Sequence, residues 1–330
     1  MVCFSVPKAL HLCIMPAVSV IIPVYNVEPY MARCARSLFG QTLEDMEFIF
    51  IDDCSPDHSI DVMREVLKEY PERKEQVRVY RMPQNSGQAR VRMKGLELAT
   101  GDYVIHCDSD DRVAPEAYER MLRAAVTGGH DMVLANFYMG DDGAWKPCKA
   151  RSGKGKELAD ILTGKVMGSV WCRLVRRDLM ENLVPPVCNM AEDMVLTLQV
   201  TAKAHRIGYI DEPLYYYYVR PNSISHAAGM EAALARQESI YANTRVCVEF
   251  LRSFAGQYSE ADMLFFKYRS RHYLEPYVHH KAVYRKWRNT FPEVDGELLG
   301  ARGISLETKF WYILIRLHLY HPWKVLSGKL

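Results

Sequence analysis

No two of the nine cysteines in this 330-residue chain are spaced C-x-x-C; they stand at Cys3, Cys13, Cys34, Cys54, Cys107, Cys148, Cys172, Cys188 and Cys247. An odd, scattered set argues against a structural zinc site or a disulfide framework. It points to a reducing compartment in which most of them pack as small hydrophobes. A surplus of charge is also missing: the formal net charge is +2, which by itself says nothing of nucleic acid. Internal repeats and low-complexity tracts are absent. So is an uninterrupted membrane span. The run ALHLCIMPAVSVIIPVYNV between Lys8 and Glu28 has no formal charge, but Pro16 and Pro23 break it, and Ser19 and Asn26 lie inside it. Val18, Val20 and Ile22 in that run read as a buried β-branched strand. Lys8 alone is too little for the basic start of a secretory leader. Residues 1–15 are therefore set aside as an N-terminal extension.

What is present is an alternation of strand and helix patterns. Strands are expected at Val18–Pro23, Glu47–Ile51, Val77–Met82, Tyr103–Cys107 and Met132–Ala135. Between the first two, Met31, Cys34, Ala35 and Leu38 recur at helical spacing. Such alternation predicts an α/β fold with a mostly parallel central sheet flanked by helices. Region 140–165, rich in Gly and Lys, reads as an excursion with a short helix. A helix at Glu192–Ala204 and strands at Ile207–Ile210 and Leu214–Val219 follow. From Gly229 onward helical patterns dominate, which divides the chain into an α/β domain, 16–228, and a C-terminal helical region, 229–330.

Ligands in such sheets bind outside the carboxyl ends of the strands. The first βα turn, PVYNVEP, contains no glycine, so the G-x-G-x-x-G cradle of a dinucleotide dehydrogenase is missing, as is a P-loop. The second strand ends in Asp52-Asp53 and the fourth in Asp108-Ser109-Asp110-Asp111. Acidic residues crowded in this way repel one another unless a cation neutralises them. Mg²⁺ or Mn²⁺ prefers carboxylate oxygens and bridges them to substrate phosphates. The competing explanation is a solvated acidic turn capping the next helix; the position at a buried strand's end favours a site. Without a glycine cradle, a diphosphate needs a metal and basic side chains, and Arg90 and Arg92 are at hand.

Four ordered motifs carry a resemblance. VSVIIPVYN, SLFGQT, FIFIDDCSPD and NSGQARVRMKGLELATGDYVIHCDSDD resemble the family 2 glycosyltransferases of the GT-A fold. Trp171-Cys172-Arg173-Leu174 resembles the family's W-x-K-L segment, Glu192-Asp193 its acidic pair, and YYYYVRPNSIS its closing strand and loop, so the likeness covers about 16–228. It implies that Pro23, Tyr25 and Glu28 line the nucleotide, with Asp53 at the base, Asp108 at the ribose and Asp111 nearby. Asp110 would ligate the metal of a D-x-D motif, Arg90 would meet the base or diphosphate, and Asp193 would be the catalytic base. Glu192 beside it also complements the helix dipole. The family's usual Asn is Val91 here, its lysine is Arg173, and its usual glycine after the acidic pair is Cys54. His226 lies where some relatives place a metal-binding histidine.

The implied activity is inverting transfer of a sugar, from a UDP-sugar, onto a hydroxyl of a glycan or lipid-linked glycan, in bacterial surface-polysaccharide synthesis. A metal would neutralise the leaving diphosphate, and one carboxylate would take the acceptor proton. The expected setting is cytoplasmic, at the inner face of the membrane. A sugar nucleotidyltransferase shares the sheet but needs a glycine- and basic-rich first loop; a non-catalytic nucleotide-sugar binder would not need Asp110 and Asp193. Residues 263–290 and the segment KFWYILIRLHLYHPWK mix basic and aromatic residues. No nucleic-acid recognition module accompanies them. They suit either a helical cap packed on the catalytic domain or an interfacial segment lying on an anionic membrane.

Overall fold

Strands form where β-branched and aromatic residues cluster, and in the first half they alternate with helices. In chain order these are β1 (Val18–Val24), α1 (Glu28–Phe39), β2 (Met46–Asp52), α2 (Ser59–Leu67), β3 (Val77–Arg81), α3 (Gln88–Leu98), β4 (Tyr103–His106), β5 (Arg112–Val113), α4 (Ala117–Gly128), β6 (Met132–Asp141), β7 (Ala144–Cys148), α5 (Glu157–Thr163), β8 (Arg173–Arg176), α6 (Glu192–Lys203) and β9 (Ile207–Tyr218). This computed structural model describes residues 15–219, 229–320 and 322. His226 and the loop after β9 lie outside the described residues, as does the expected domain boundary near 228.

The nine described strands form one sheet, in the order β3-β2-β1-β4-β8-β6-β9-β5 with β7 on β6. The neighbours β3, β2, β1 and β4 are all parallel, which aligns their carboxyl ends along one edge. β8 runs antiparallel between β4 and β6, and β9 returns parallel to β6. The two strands expected at 207–210 and 214–219 are one strand, because register shifts around Asn136 absorb Asp211 and Glu212 beside Pro213. The excursion at 140–165 resolves into the β6–β7 hairpin and α5.

α1 buries Met31, Cys34, Ala35 and Leu38, the stripe its spacing predicts, on one face of the sheet. α3 covers the other face so closely that a side chain at Gly95 would meet Ile21 Cγ2 at 2.2 Å. Val91, in the family's usual Asn position, packs there with Ile21, Ile49, Ile51 and Val104.

The C-terminal helices are α7 (Met230–Leu251), α8 (Glu260–Arg269), α9 (Lys281–Asn289), α10 (Val294–Glu297) and α11 (Leu306–Arg316). They have a core of their own around Leu274, Trp287, Tyr312 and Ile315. A second cluster joins Leu158, Ile161 and Leu162 of α5 and Val195 and Leu198 of α6 to Cys247, Leu251 and Phe266 of α7 and α8. None of the described helices is long and apolar enough to cross a membrane.

Candidate active site

The strand ends build the site in order. After β1 the chain turns through Asn26, in the left-handed region at φ 53°, and enters α1 with no glycine. Polar groups of the next loop hold this turn: Asn26 N–H donates to Ser55 Oγ (2.8 Å), Val27 N–H to Ser59 Oγ (3.1 Å) and Glu28 N–H to Asp57 (2.8 Å). Burial opposes charge on Asp57, but hydrogen bonds from Ser55, Ser59 and the Glu28 amide outweigh it and hold the carboxyl at about 2. On this braced turn the Tyr25 ring stands exposed and Pro23 half-buried, both available to a ligand. One Glu28 oxygen accepts from the His58 amide at 2.9 Å.

Asp53 is buried, and its two oxygens accept from the amides of Ser86 and Gly87, both at 2.7 Å. It therefore fixes the loop that starts α3. Each oxygen retains a further lone pair. Gly87 needs its missing side chain: φ is +80°, and a Cβ would lie 2.1 Å from Asn189 Nδ2. Asn189 Oδ1 in turn accepts from the Ala89 amide at 3.2 Å, which draws the loop before α6 onto α3. Arg90 sits exposed on the first turn of α3.

Arg92 corrects an expectation. Its guanidinium is fully buried and does not reach out for a diphosphate. It donates to Asp108 Oδ1 at 2.7 Å and Glu192 Oε1 at 3.2 Å, tying the end of β4 to the start of α6. A buried carboxylate such as Glu192 requires a paired cation. Burial and the charge of Asp193 push Glu192 up to about 7 against the pull of Arg92. Asp193 is half-buried, and its Oδ1 accepts from the Met194 amide at 2.7 Å. Burial raises its pKa above the ordinary aspartate range, with Asp108 adding to the shift and Arg92 and Arg173 opposing it. The expected base and the D-S-D-D turn thus lie within electrostatic reach of one another.

The turn itself divides its labour. Asp108 and Asp110 are half-buried at the rim, and the Asp110 carbonyl accepts from Arg33 Nη2 at 2.7 Å. Asp111, expected among the donor contacts, is fully buried instead. Its oxygens accept from the Tyr215 hydroxyl (2.7 Å) and the Tyr218 amide (2.8 Å), which pins β9 to the turn. Burial, then Asp110 and Asp108, push its pKa well above the carboxylate range. The Tyr215 hydroxyl also accepts from the Asp108 amide at 3.0 Å. Trp171 stacks on Tyr215 and Tyr217, and the guanidinium of Arg173 binds the carbonyls of Met167 and Ser169.

No three His, Cys, Asp or Glu side chains converge as a closed metal cage among the described residues. Asp110 and the second oxygen of Asp108 nevertheless suit a hard cation that completes its shell with water and substrate phosphate, the usual mode for Mg²⁺. A cleft of about 710 Å³ near α7, lined by Val187, Val246, Phe250 and Phe254 among others, shares none of these residues.

Residues 19–184 match the model of glycosyl transferase family 2. The chain belongs to that family. The glycosyltransferase EpsJ of Bacillus subtilis (strain 168) is 31% identical over 223 residues, 64% of this chain and 63% of EpsJ. The match thus spans less than two thirds of that relative's length. Among solved structures, S. aureus TarS 1–349 in complex with UDP-GlcNAc superposes with a TM-score of 0.56 at 19% identity, covering 86% of this chain and 91% of that one. The mannosyltransferase PcManGT from Pyrobaculum calidifontis, in complex with GDP-Man and Mn²⁺, gives 0.55 at 14% identity, covering 96% and 88%. At these identities the likenesses show a shared fold alone. Reading motifs one by one missed the parts that join them: Arg92 as ionic hub, Asn189 as brace, and the tyrosines of β9. Only the YYYY run signalled the last, since alternate residues of a strand share a face.

Proposed function

We propose that this chain transfers a sugar, with inversion, from a UDP-sugar to an acceptor hydroxyl in the assembly of a bacterial surface polysaccharide. The observation that carries this is the buried Arg92, which bonds both Asp108 of the D-S-D-D turn and Glu192, the neighbour of Asp193. Glu192 is buried against Arg92, which leaves Asp193 as the half-buried carboxylate able to receive the acceptor proton. Tyr25, Pro23 and Glu28 would hold the nucleoside, with Arg90 and Asp108 beside them and buried Asp53 behind, bracing the loop that starts α3. Asp110 would hold Mn²⁺ or Mg²⁺, which supplies charge neutralisation to the departing diphosphate. A single displacement by the deprotonated hydroxyl inverts the sugar carbon.

The test is a panel of nucleotide sugars with Mn²⁺, read first by thermal stabilisation. A ligand at about 100 times its Kd adds roughly 2.7 kcal/mol to the native state. The stabilising donor is then incubated with glycan acceptors. Release of nucleoside diphosphate supports the proposal; consumption of added pyrophosphate with formation of a nucleoside triphosphate and a sugar 1-phosphate would make the chain a nucleotidyltransferase, and binding without turnover would make it a binder. Asp110→Ala should abolish the Mn²⁺-dependent part of UDP affinity in calorimetry. Equal affinity with and without chelator in the wild type would remove the metal from this scheme.

A lipid-linked acceptor and a position on the cytoplasmic membrane face are favoured by α11. Its Leu306, Phe310, Ile313 and Leu317 follow one another at four-, three- and four-residue steps and are all exposed. That spacing makes one apolar stripe.

A further inference from the structure

Tyr217 stands among the proposed donor and base residues with no part assigned to it. β9 alternates cleanly: Tyr215 and Tyr217 stack on Trp171, with centroids 4.4 and 5.6 Å away and planes within 10°. Tyr216 and Tyr218 meet the edge of Trp145 on the other side. Tyr215 spends its hydroxyl on Asp111 and the Asp108 amide. Two residues on, about 7 Å along the strand, the Tyr217 ring is held by the same indole, but its hydroxyl bonds to no other described residue. The ring is half-buried, so that hydroxyl is ready for a ligand. Burial, then the charges of Asp111, Asp108, Asp110 and Asp193, push its pKa up to about 12. The hydroxyl therefore stays protonated and feels the donor and base carboxylates together.

If the diphosphate lies at the D-S-D-D turn and the acceptor at Asp193, the sugar being moved lies between them. Resting on that functional proposal, we propose that the Tyr217 hydroxyl hydrogen-bonds the transferred sugar ring and helps select which sugar is accepted. The nucleotide is bound elsewhere, by Tyr25 and its neighbours.

The experiment uses the full chain with Tyr217→Phe, which keeps the stacked ring, and Tyr216→Phe as a control on the opposite face. UDP affinity is measured by calorimetry. UDP release from UDP-glucose, UDP-galactose and UDP-N-acetylglucosamine gives kcat/KM for each donor. Loss of one neutral hydrogen bond should lower kcat/KM for the preferred donor about 3- to 10-fold. Preference among the three sugars should narrow, with UDP affinity and melting temperature unchanged and Tyr216→Phe silent. Unchanged kcat/KM overturns the proposal, as does a parallel loss of UDP affinity or melting temperature, which would make Tyr217 a nucleotide or packing residue. If the wild-type protein binds UDP yet releases it from none of the donors, the transferase scheme itself fails.

Discussion

Asp193 accepts from the Met194 amide and lies within the charge field of Arg92, Asp108 and Arg173. Its folded-state pKa lies above the ordinary 3.8, raised first by burial. A base must be ionised to act, so transfer should fall as pH drops through that raised pKa, placing the acid limb of the pH–rate profile above 3.8. Asp193→Asn keeps the size and removes the acceptor. It should lower turnover by about 10²–10⁴-fold, roughly 3–5 kcal/mol of barrier, with donor affinity retained. Wild-type rates with a lowered melting temperature would show that Asp193 serves only the start of α6. At this scale the strand-end acids were legible: Asp53, Asp108 and Asp110 follow the carboxyl ends of the parallel strands β2 and β4. Cys54 was legible as a departure, and φ 57° gives its reason, since a left-handed position favours the glycine usual there. Asp111 was not, because an aspartate four residues into an acidic turn gives no sign of which side of the turn it faces.

The elements that matter are α3, β4 and α6, and Arg92 is where they meet. Replacing it with leucine would leave buried Glu192 and half-buried Asp108 without the cation they share, which should cost about 3–5 kcal/mol. The pH dependence has a definite sign. Glu192 titrates at about 7 in the folded chain against 4.5 ordinarily, so it binds more protons folded than unfolded between these values. Its contribution to stability is fully present below 4.5 and is lost as pH rises through 7. Arg92 moderates that loss; hence Arg92→Leu should lower the melting temperature more at pH 8 than at pH 5. An equal drop at both would show that packing, not charge, is what Arg92 supplies. The parallel half of the sheet was legible from long β-branched runs separated by helical stripes. β5, β7 and β8 were not, at 2, 5 and 4 residues, too short for periodicity to speak.

The whole molecule is electrically lopsided. Residues 281–330 hold nine Lys and Arg against four Asp and Glu, a surplus of five where the entire chain has two. The exposed stripe of α11 lies in this basic portion, with Leu306 at 84% and Leu317 at 60% exposure. An apolar stripe on a segment of net positive charge suits an anionic bilayer surface. The full chain should therefore sediment with phosphatidylglycerol vesicles more than with phosphatidylcholine vesicles. Leu306→Ser combined with Phe310→Ser should weaken that binding at least about tenfold without changing the melting temperature. Equal sedimentation of variant and wild type would assign the stripe to packing against another protein surface.

The joint between the two cores also has a bearing on how the chain is made. Arg269 of α8 donates to the Ile161 and Leu162 carbonyls at the end of α5, at 3.0 and 2.9 Å, where a side chain on Gly164 would collide with it. Cys247, Leu251 and Phe266 close over α6, the helix that carries Asp193. On the ribosome, strands β1 to β4 emerge early, but the support beneath Asp193 is synthesised some 50 to 75 residues after it. Nascent chains arrested before α7 should stay protease-sensitive at α5 and α6, and activity should arise only once α8 has left the exit tunnel.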